Sequence, residues 1–366
     1  MTTKDKYTEI PDPYSWEVPS VGDARFTWEY DEGRARLLAL YQKGKDKQWD
    51  AESRIDWSLD VDPMNPIGVP DQFHPLFGSP AWESADEKRR AEMRQHNQAW
   101  NFSQFLHGEQ GAMVCAAKIV EVVPDMDAKF YAATQTMDEA RHVEAFSRFL
   151  QEKVGLVYPI NTNLSALLAD TLNDSRWDMP YLGMQVLIEG LALAAFGVQR
   201  DLAPEGSLPK QLLAYVMQDE ARHVAFGRIS LKDYYSALTD AERDDREEFV
   251  VEACYLMRDR FRGEEVLETL GLPVKECAEW VDHSPLMNQF RSHLFSRIVP
   301  IVKDIGLWGP KVQRAFTDMG VQDMAAFDID ALMKADEDQA EQLDKAHAEM
   351  ATRALEVDEA IAAGRD

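Results

Sequence analysis

Asp138-Glu139-Ala140-Arg141-His142-Val143 recurs as Asp219-Glu220-Ala221-Arg222-His223-Val224, and each copy contains a Glu-x-x-His. On an α-helix, residues three apart project from one face about a turn apart, so each copy aims a carboxylate and an imidazole at a common point. Two copies together supply most of a dinuclear metal site. What such a site still lacks is one carboxylate from each of two further helices. A glutamate in an apolar helical run lies upstream of each copy: Glu109 in Phe105–Ala117, and Glu189 in Met184–Phe196. Glu109 precedes Glu139 by 30 residues and Glu189 precedes Glu220 by 31, an internal repeat of an antiparallel helix pair. A lone Glu-x-x-His on a charged helix is ordinarily a solvated face. The repeat and the two intrahelical glutamates outweigh that reading, because an isolated carboxylate in an apolar run is costly unless paired or metal-bound.

At these residues the chain resembles the ferritin-like di-iron carboxylate superfamily, over about residues 100 to 230. The Asp-Glu-x-Arg-His form is most similar to the hydroxylase large subunits of bacterial multicomponent monooxygenases, which are non-haem di-iron oxygenases. It is more loosely similar to the soluble acyl-carrier desaturases. The resemblance implies Glu109, Glu139, His142, Glu189, Glu220 and His223 as metal ligands. It also implies Asp138, Arg141, Asp219 and Arg222 as the groups around the cofactor that orient the imidazoles, since a ligating imidazole ordinarily donates its other N–H to a carboxylate or carbonyl. The implied cofactor is two irons, a Mn/Fe pair being compatible with the same donors, with O2 as co-substrate. A homodimer is expected, as in the superfamily.

Departures from subfamily patterns narrow the chemistry. Phe146 stands where the small subunit of ribonucleotide reductase carries its radical tyrosine, one turn after the first histidine. Val216 stands where arylamine N-oxygenases carry a third histidine, which weakens N-oxygenation. Leu193 stands where the multicomponent monooxygenases carry a threonine proposed to relay protons, so Thr136 or Gln185 is the candidate relay here. Neighbours three or four residues from the ligands define an expected substrate pocket: Ala112, Met113, Gln135, Thr136, Phe146, Gln185, Leu193, Phe196, Val216 and Gly227. That set is mostly apolar, as a pocket for a hydrophobic molecule requires.

The net charge of −26 argues against nucleic acid as a partner. A free small molecule, such as a cationic amine, suits this charge, and the acid also serves solubility. No run of about 18 apolar residues is evident, so no membrane association is expected. Residues 1–9 lack a signal-peptide core. Three scattered cysteines form no C-x-x-C, which fits a cytoplasmic protein without its own iron–sulfur centre. No Gly-x-Gly-x-x-Gly is present, so electrons must come from an external donor, a reductase or ferredoxin, or from the substrate.

The expected fold is all-α: a ferritin-like four-helix bundle with additional helices and an extended N-terminal arm. Residues 1–83 read as the arm, a helix over 31–52 and a proline-rich wrapping loop; 84–310 as the di-iron helical domain; 311–366 as a C-terminal helical, acidic tail. Ser84 is the expected N-cap of a long helix that breaks or bends near Asn101, and residues 328–363 read as a solvated or partly disordered helix. The function these features support is an O2-activating oxygenase that hydroxylates or N-oxygenates a small apolar or amine-bearing molecule. Alternatives are desaturation or oxidative C–C cleavage of an acyl chain, and, in another class, a ferroxidase or iron-handling protein.

Overall fold

Asp86 and Asp125 cap the starts of two of the four helices that carry the candidate ligands, accepting from the Arg89 and Ala128 N–H groups. The computed structural model describes residues 24–27 and 33–363, and no strand occurs among the described residues. The arm expected at residues 1–30 therefore lies almost wholly outside them. Helix α1 spans Ala35–Asp46, α2 Ala51–Arg54 and α3 Pro80–Glu83. Helices α4 (Glu87–Val122), α5 (Met126–Arg148), α6 (Thr162–Asn173), α7 (Glu189–Leu202) and α8 (Leu208–Ser236) follow. Helix α4 packs along α5 and α7 along α8, and the short links Val123–Asp125 and Ala203–Ser207 force each pair antiparallel. The two pairs close on each other as a four-helix bundle.

The expected start of the first long helix is corrected. Ser84 closes α3, its hydroxyl donating to the Pro80 carbonyl, and Asp86 caps α4 by accepting the Arg89 N–H at 2.8 Å. No break occurs at Asn101: its side-chain amide donates to the Asn97 carbonyl of the same helix, and α4 continues for 36 residues. The single helix expected over 31–52 is instead α1 and α2, separated at Lys47–Asp50.

Two segments are wound more widely than an α-helix. Phe149–Val154 continues α5 as π-helix until Gly155, which takes a left-handed φ of 74°. Tyr181–Ile188 leads into α7 in the same way, with the Glu189 N–H bonded to the Met184 carbonyl. Such turns re-aim the side chains that follow them. The stretch Tyr181–Leu202 is by length and composition apolar enough to cross a bilayer, contrary to the reading that no such run exists. Here 83% of its most apolar window is buried inside the protein.

The remaining helices are α9 (Asp240–Asp259), α10 (Glu264–Thr269), α11 (Val274–His283), α12 (Pro285–His293), α13 (Ile298–Asp304), α14 (Pro310–Asp318) and α15 (Ile329–Ala363). Thr239 forms a capping box with Glu242 at the head of α9. Helix α10 was not evident in the sequence, being only 6 residues long. The tail is more than a solvated helix. Met333 and Ala340 are buried, Asp336 accepts from Arg297 at 2.8 Å, and Lys43–Glu337 and Arg54–Asp344 pair at 2.6 Å each. Its acids look solvated in sequence because their basic partners lie far away in the chain.

His74 fastens the wrapping loop to α4. Its Nδ1 accepts the Leu76 N–H and its Nε2 faces the Met93 carbonyl, and burial pushes the imidazole down to about 4. Below an unfolded value near 6.5 the unfolded chain binds the extra proton, so stability falls as pH drops from about 6.5 to 4. The full shift corresponds to about 3.5 kcal/mol at roughly 1.4 kcal/mol per unit. A His74→Asn variant, which keeps an acceptor for Leu76, is expected to lose that share of the acid sensitivity, measured as denaturant-unfolding free energy of both proteins across this range.

Candidate metal centre

Glu109 on α4, Glu139 and His142 on α5, Glu189 on α7, and Glu220 and His223 on α8 point into the bundle, and all six are buried. The structure brings all six together. One group comprises Glu109, Glu139, His142 and Glu220, a second comprises Glu139, Glu189 and His223, and within each the donor atoms lie within 4.8 Å of one another. His142 Nδ1 is 3.1 Å from Glu109 and Glu220 oxygens and 3.3 Å from Glu139. His223 Nδ1 is 2.9 Å from Glu139 and 3.4 Å from Glu220. Glu139 belongs to both groups, as a bridging carboxylate would.

The donors fit a pair of divalent cations. Glu139 Oε2, Glu189 Oε2, both Glu220 oxygens and His223 Nδ1 are buried without a hydrogen-bond partner, an arrangement too costly to keep unless cations satisfy them. Charge accounting among the protein groups agrees. Burial, then the Glu220 charge, pushes the Glu109 and Glu189 carboxyls well above the ordinary range. Burial opposes a charged His142, yet Asp219, Glu109 and their neighbours pull its imidazole well above its ordinary value. His223 is raised in the same sense, against burial, by Glu139 and Glu220. The cluster thus draws protons in the place of cations. Four carboxylates with two imidazoles suit iron or manganese.

Of the four groups expected to orient the imidazoles, the two aspartates do so, crosswise. His142 Nε2 meets Asp219 Oδ2 on α8 at 3.1 Å, and His223 Nε2 meets Asp138 Oδ2 on α5 at 3.3 Å. Each motif's aspartate therefore serves the other motif's histidine. The arginines hold the aspartates rather than the rings: Arg141 bonds Asp138 and Asp219, at 2.5 and 2.8 Å, and Arg222 bonds Asp219. In Asp219 burial works against ionisation, but Arg222, His142 and Arg141 outweigh it and keep the carboxyl well below its usual range.

Two residues of this array went unseen in the sequence. Gln48 donates to Asp138 at 2.7 Å and accepts from Arg141 at 2.8 Å, while Trp49 Nε1 donates to Asp219 at 2.7 Å. The Arg141 guanidinium also lies 4.8 Å from the Trp49 ring centre. Both sit in the break between α1 and α2. Their partners are 90 and 170 residues away, and no local pattern signals such contacts.

The expected pocket is only partly where the neighbours of the ligands suggested. A cavity of about 30 Å³ borders Glu109, Glu189 and Glu220, lined also by Phe105, Met184, Leu191, Met257 and Arg260. Of the expected residues, Ala112 and Phe196 line it. Gln135 instead belongs to the cluster, its amide donating to Glu139 at 3.0 Å and Glu189 at 2.9 Å. Phe146, Leu193 and Val216 are fully buried in core packing. Gln185 packs on Gly227, where an added Cβ would lie 2.6 Å from its own. Met113 is half-buried away from the cavity, and so is Thr136, whose hydroxyl is spent on the Ala132 carbonyl.

A larger cavity, about 380 Å³, touches none of the six donors. It lies further along the same elements: Trp100 precedes Gln104 by one turn of α4, Gln199 follows Phe196 on α7, and Phe261 follows Arg260.

The model of the p-aminobenzoate N-oxygenase AurF family matches residues 31–306. No curated protein matches the chain. Among solved structures, three variants of an R2-like ligand-binding oxidase with an anaerobically reconstituted Mn/Fe cofactor align at 18% identity. Their TM-scores are 0.49, 0.47 and 0.43, with 77%, 77% and 73% of this chain and 96%, 96% and 95% of theirs covered. The family match spans all four bundle helices and every one of the six converging donors. The chain belongs to the p-aminobenzoate N-oxygenase AurF family of ferritin-like di-iron oxygenases.

Proposed function

We propose that this protein is an N-oxygenase of a small arylamine, with Glu109, Glu139, His142, Glu189, Glu220 and His223 holding two irons. The observation that carries the reading is the group of partnerless buried carboxylate oxygens bordering an apolar cavity, in a chain of the N-oxygenase family. Val216, in the place of the third histidine, is buried and apolar, so the site works with six protein donors.

Bound ferrous ions would supply reducing equivalents to O2. The balance is R–NH2 + O2 + 2 e⁻ + 2 H⁺ → R–NHOH + H2O: an N–O bond forms, an N–H bond and the O–O bond break, and the second oxygen leaves as water. The electrons come from an external reductase or ferredoxin, since the chain carries no nucleotide fingerprint. The protein's own groups set the stage. Gln135 bridges Glu139 and Glu189 and fixes both carboxylates, and Phe105, Met184, Leu191 and Phe196 keep bulk water from the reacting nitrogen. Three buried, unpaired cysteines support a cytoplasmic setting, and a homodimer is the proposed assembly.

The test is to load the protein anaerobically with ferrous iron, add 4-aminobenzoate or aniline with a chemical reductant, admit O2, and separate the products chromatographically. Hydroxylamine formed in proportion to O2 consumed is the expected result. Unchanged amine, with ferric iron accumulating in proportion to the iron added, overturns the reading in favour of a ferroxidase.

A further inference from the structure

The larger cavity, an outer chamber, is enclosed largely by chain that lies outside the four-helix bundle. The wrapping loop around His74 and helices α10 to α12 form most of its wall, and the first half of α4 and the end of α7 close it. At about 380 Å³ it falls within the range of small-molecule sites, roughly 300–1,000 Å³, and Arg262 and Gln289 on its lining are exposed to solvent. Protein interiors are close-packed, so a space of this size among Val266, Leu270 and Met287 is not ordinary core. Phe261 stands edge-on to Trp100, with ring centres 6.5 Å apart, and to Phe290 at 5.5 Å, and all three rings line the chamber.

The polar groups at its lining are of two kinds. The charges are paired: Arg94 with Asp71 at 2.9 Å and with Glu87 at 2.6 Å, and Arg262 with Asp282 at 3.1 Å. Burial pushes His74 down to about 4, and burial followed by the Arg297 charge lowers His293, so both rings are neutral. An ionised guest would therefore be buried without a counter-charge, at high cost. Two neutral groups, by contrast, are unmatched. Trp100 Nε1, a donor, and Gln199 Oε1, an acceptor, are buried without a hydrogen-bond partner among the described residues, on residues 3% and 7% exposed. Leaving such atoms unmatched destabilises the folded chain, and a ligand that answers both recovers that loss.

We propose that the outer chamber is a second ligand site, separate from the metal centre, for an uncharged apolar molecule that bears one hydroxyl or carboxamide. Either group accepts from an indole N–H while donating to an amide oxygen, so it answers Trp100 and Gln199 together. The apolar body packs against the rings of Trp100, Phe261 and Phe290 and covers Leu270 and Met287. The site goes beyond the oxygenase reading. It touches none of the six donors, and one turn of α4 and one of α7 separate it from the inner cavity. With no metal donor in reach, its occupant is bound and not oxidised.

The experiment is calorimetric titration of the metal-loaded protein with 2-naphthol and with 2-naphthoate, for the wild type, Trp100→Phe and Gln199→Leu, alongside thermal melts without ligand. The expected result is one equivalent of 2-naphthol bound at least about 10-fold tighter than 2-naphthoate by the wild type. Each variant should bind 2-naphthol about 3- to 10-fold more weakly, the range of one neutral hydrogen bond, with a ligand-free melting temperature no lower than wild type. Saturating 4-aminobenzoate should leave 2-naphthol binding intact. Equal or tighter binding of 2-naphthoate, or no binding of either, overturns the proposal, and that comparison stands even if a variant fails to fold. Unchanged 2-naphthol affinity in both variants overturns it, as does a lower melting temperature, which would make the two groups part of the packing. Displacement of 2-naphthol by 4-aminobenzoate also overturns it, since the two spaces would then be one substrate site. The oxygenase reading fails separately, on unchanged amine in the product assay, whatever 2-naphthol does.

Discussion

A Glu139→Gln variant is expected to bind at most one metal per chain instead of two and to lose more than about 100-fold of its O2-dependent turnover, a ligand loss exceeding the effect of removing a supporting group. Glu139 is singled out because it alone belongs to both groups of converging donors. Its two oxygens face different histidines, Oε2 toward His142 at 3.3 Å and Oε1 toward His223 at 2.9 Å. Glutamine preserves the shape and still satisfies the Gln135 amide through its carbonyl, but it removes the charge that two cations would share. The contrast is with Glu109, which sits in one group only. Glu109→Gln should weaken one metal and leave the other. Metal analysis by mass spectrometry after gel filtration reads both, and two equivalents retained by Glu139→Gln would remove it from the ligand set.

Asp219→Asn should cost about 3–5 kcal/mol of stability, because it breaks a buried ionic array from the inside. The carboxylate is fully buried and receives Arg141 at 2.8 Å, Trp49 at 2.7 Å, His142 at 3.1 Å and a close contact from Arg222. Asparagine leaves two buried guanidinium groups facing an amide, with one remaining acid, Asp138, for both. The loss should appear in the metal-free protein as a fall in melting temperature on the order of 5–10 °C. Metal affinity should drop a further 10- to 100-fold or so, since His142 loses the partner that fixes its ring. Trp49→Phe, which removes one donor and no charge, is the graded control at about 1 kcal/mol. An Asp219→Asn protein as stable as wild type would show that the array contributes little to the fold.

The repeated hexapeptide places four donors on two helices, because three-residue spacing on a helix is set by backbone geometry alone, and the glutamate about 30 residues upstream of each copy adds the other two. The bundle, the long antiparallel pairs and the capping box at Thr239 follow from equally local rules. Helix α15 shows where composition misleads: its acids read as solvated, yet Asp336 is buried against Arg297 from another helix. The expected pocket coincides with the cavity only at Ala112 and Phe196, for a related reason. Same-face neighbours of a ligand are known from sequence, but whether Leu193 or Val216 meets a cavity or another side chain depends on what packs opposite, and both are fully enclosed.

The sequence by itself determined the helical class, the six converging donors and the identity of the four residues around the imidazoles. Only the tertiary structure decided the crossing of the aspartates between motifs, because each histidine turns Nδ1 inward and its outer nitrogen then emerges toward the neighbouring helix. The same holds for Gln48 and Trp49, and for Trp100 and Gln199 at the outer chamber. These depend on contacts between segments tens to hundreds of residues apart, and such contacts come from the packing of whole helices, not from the periodicity of any one of them.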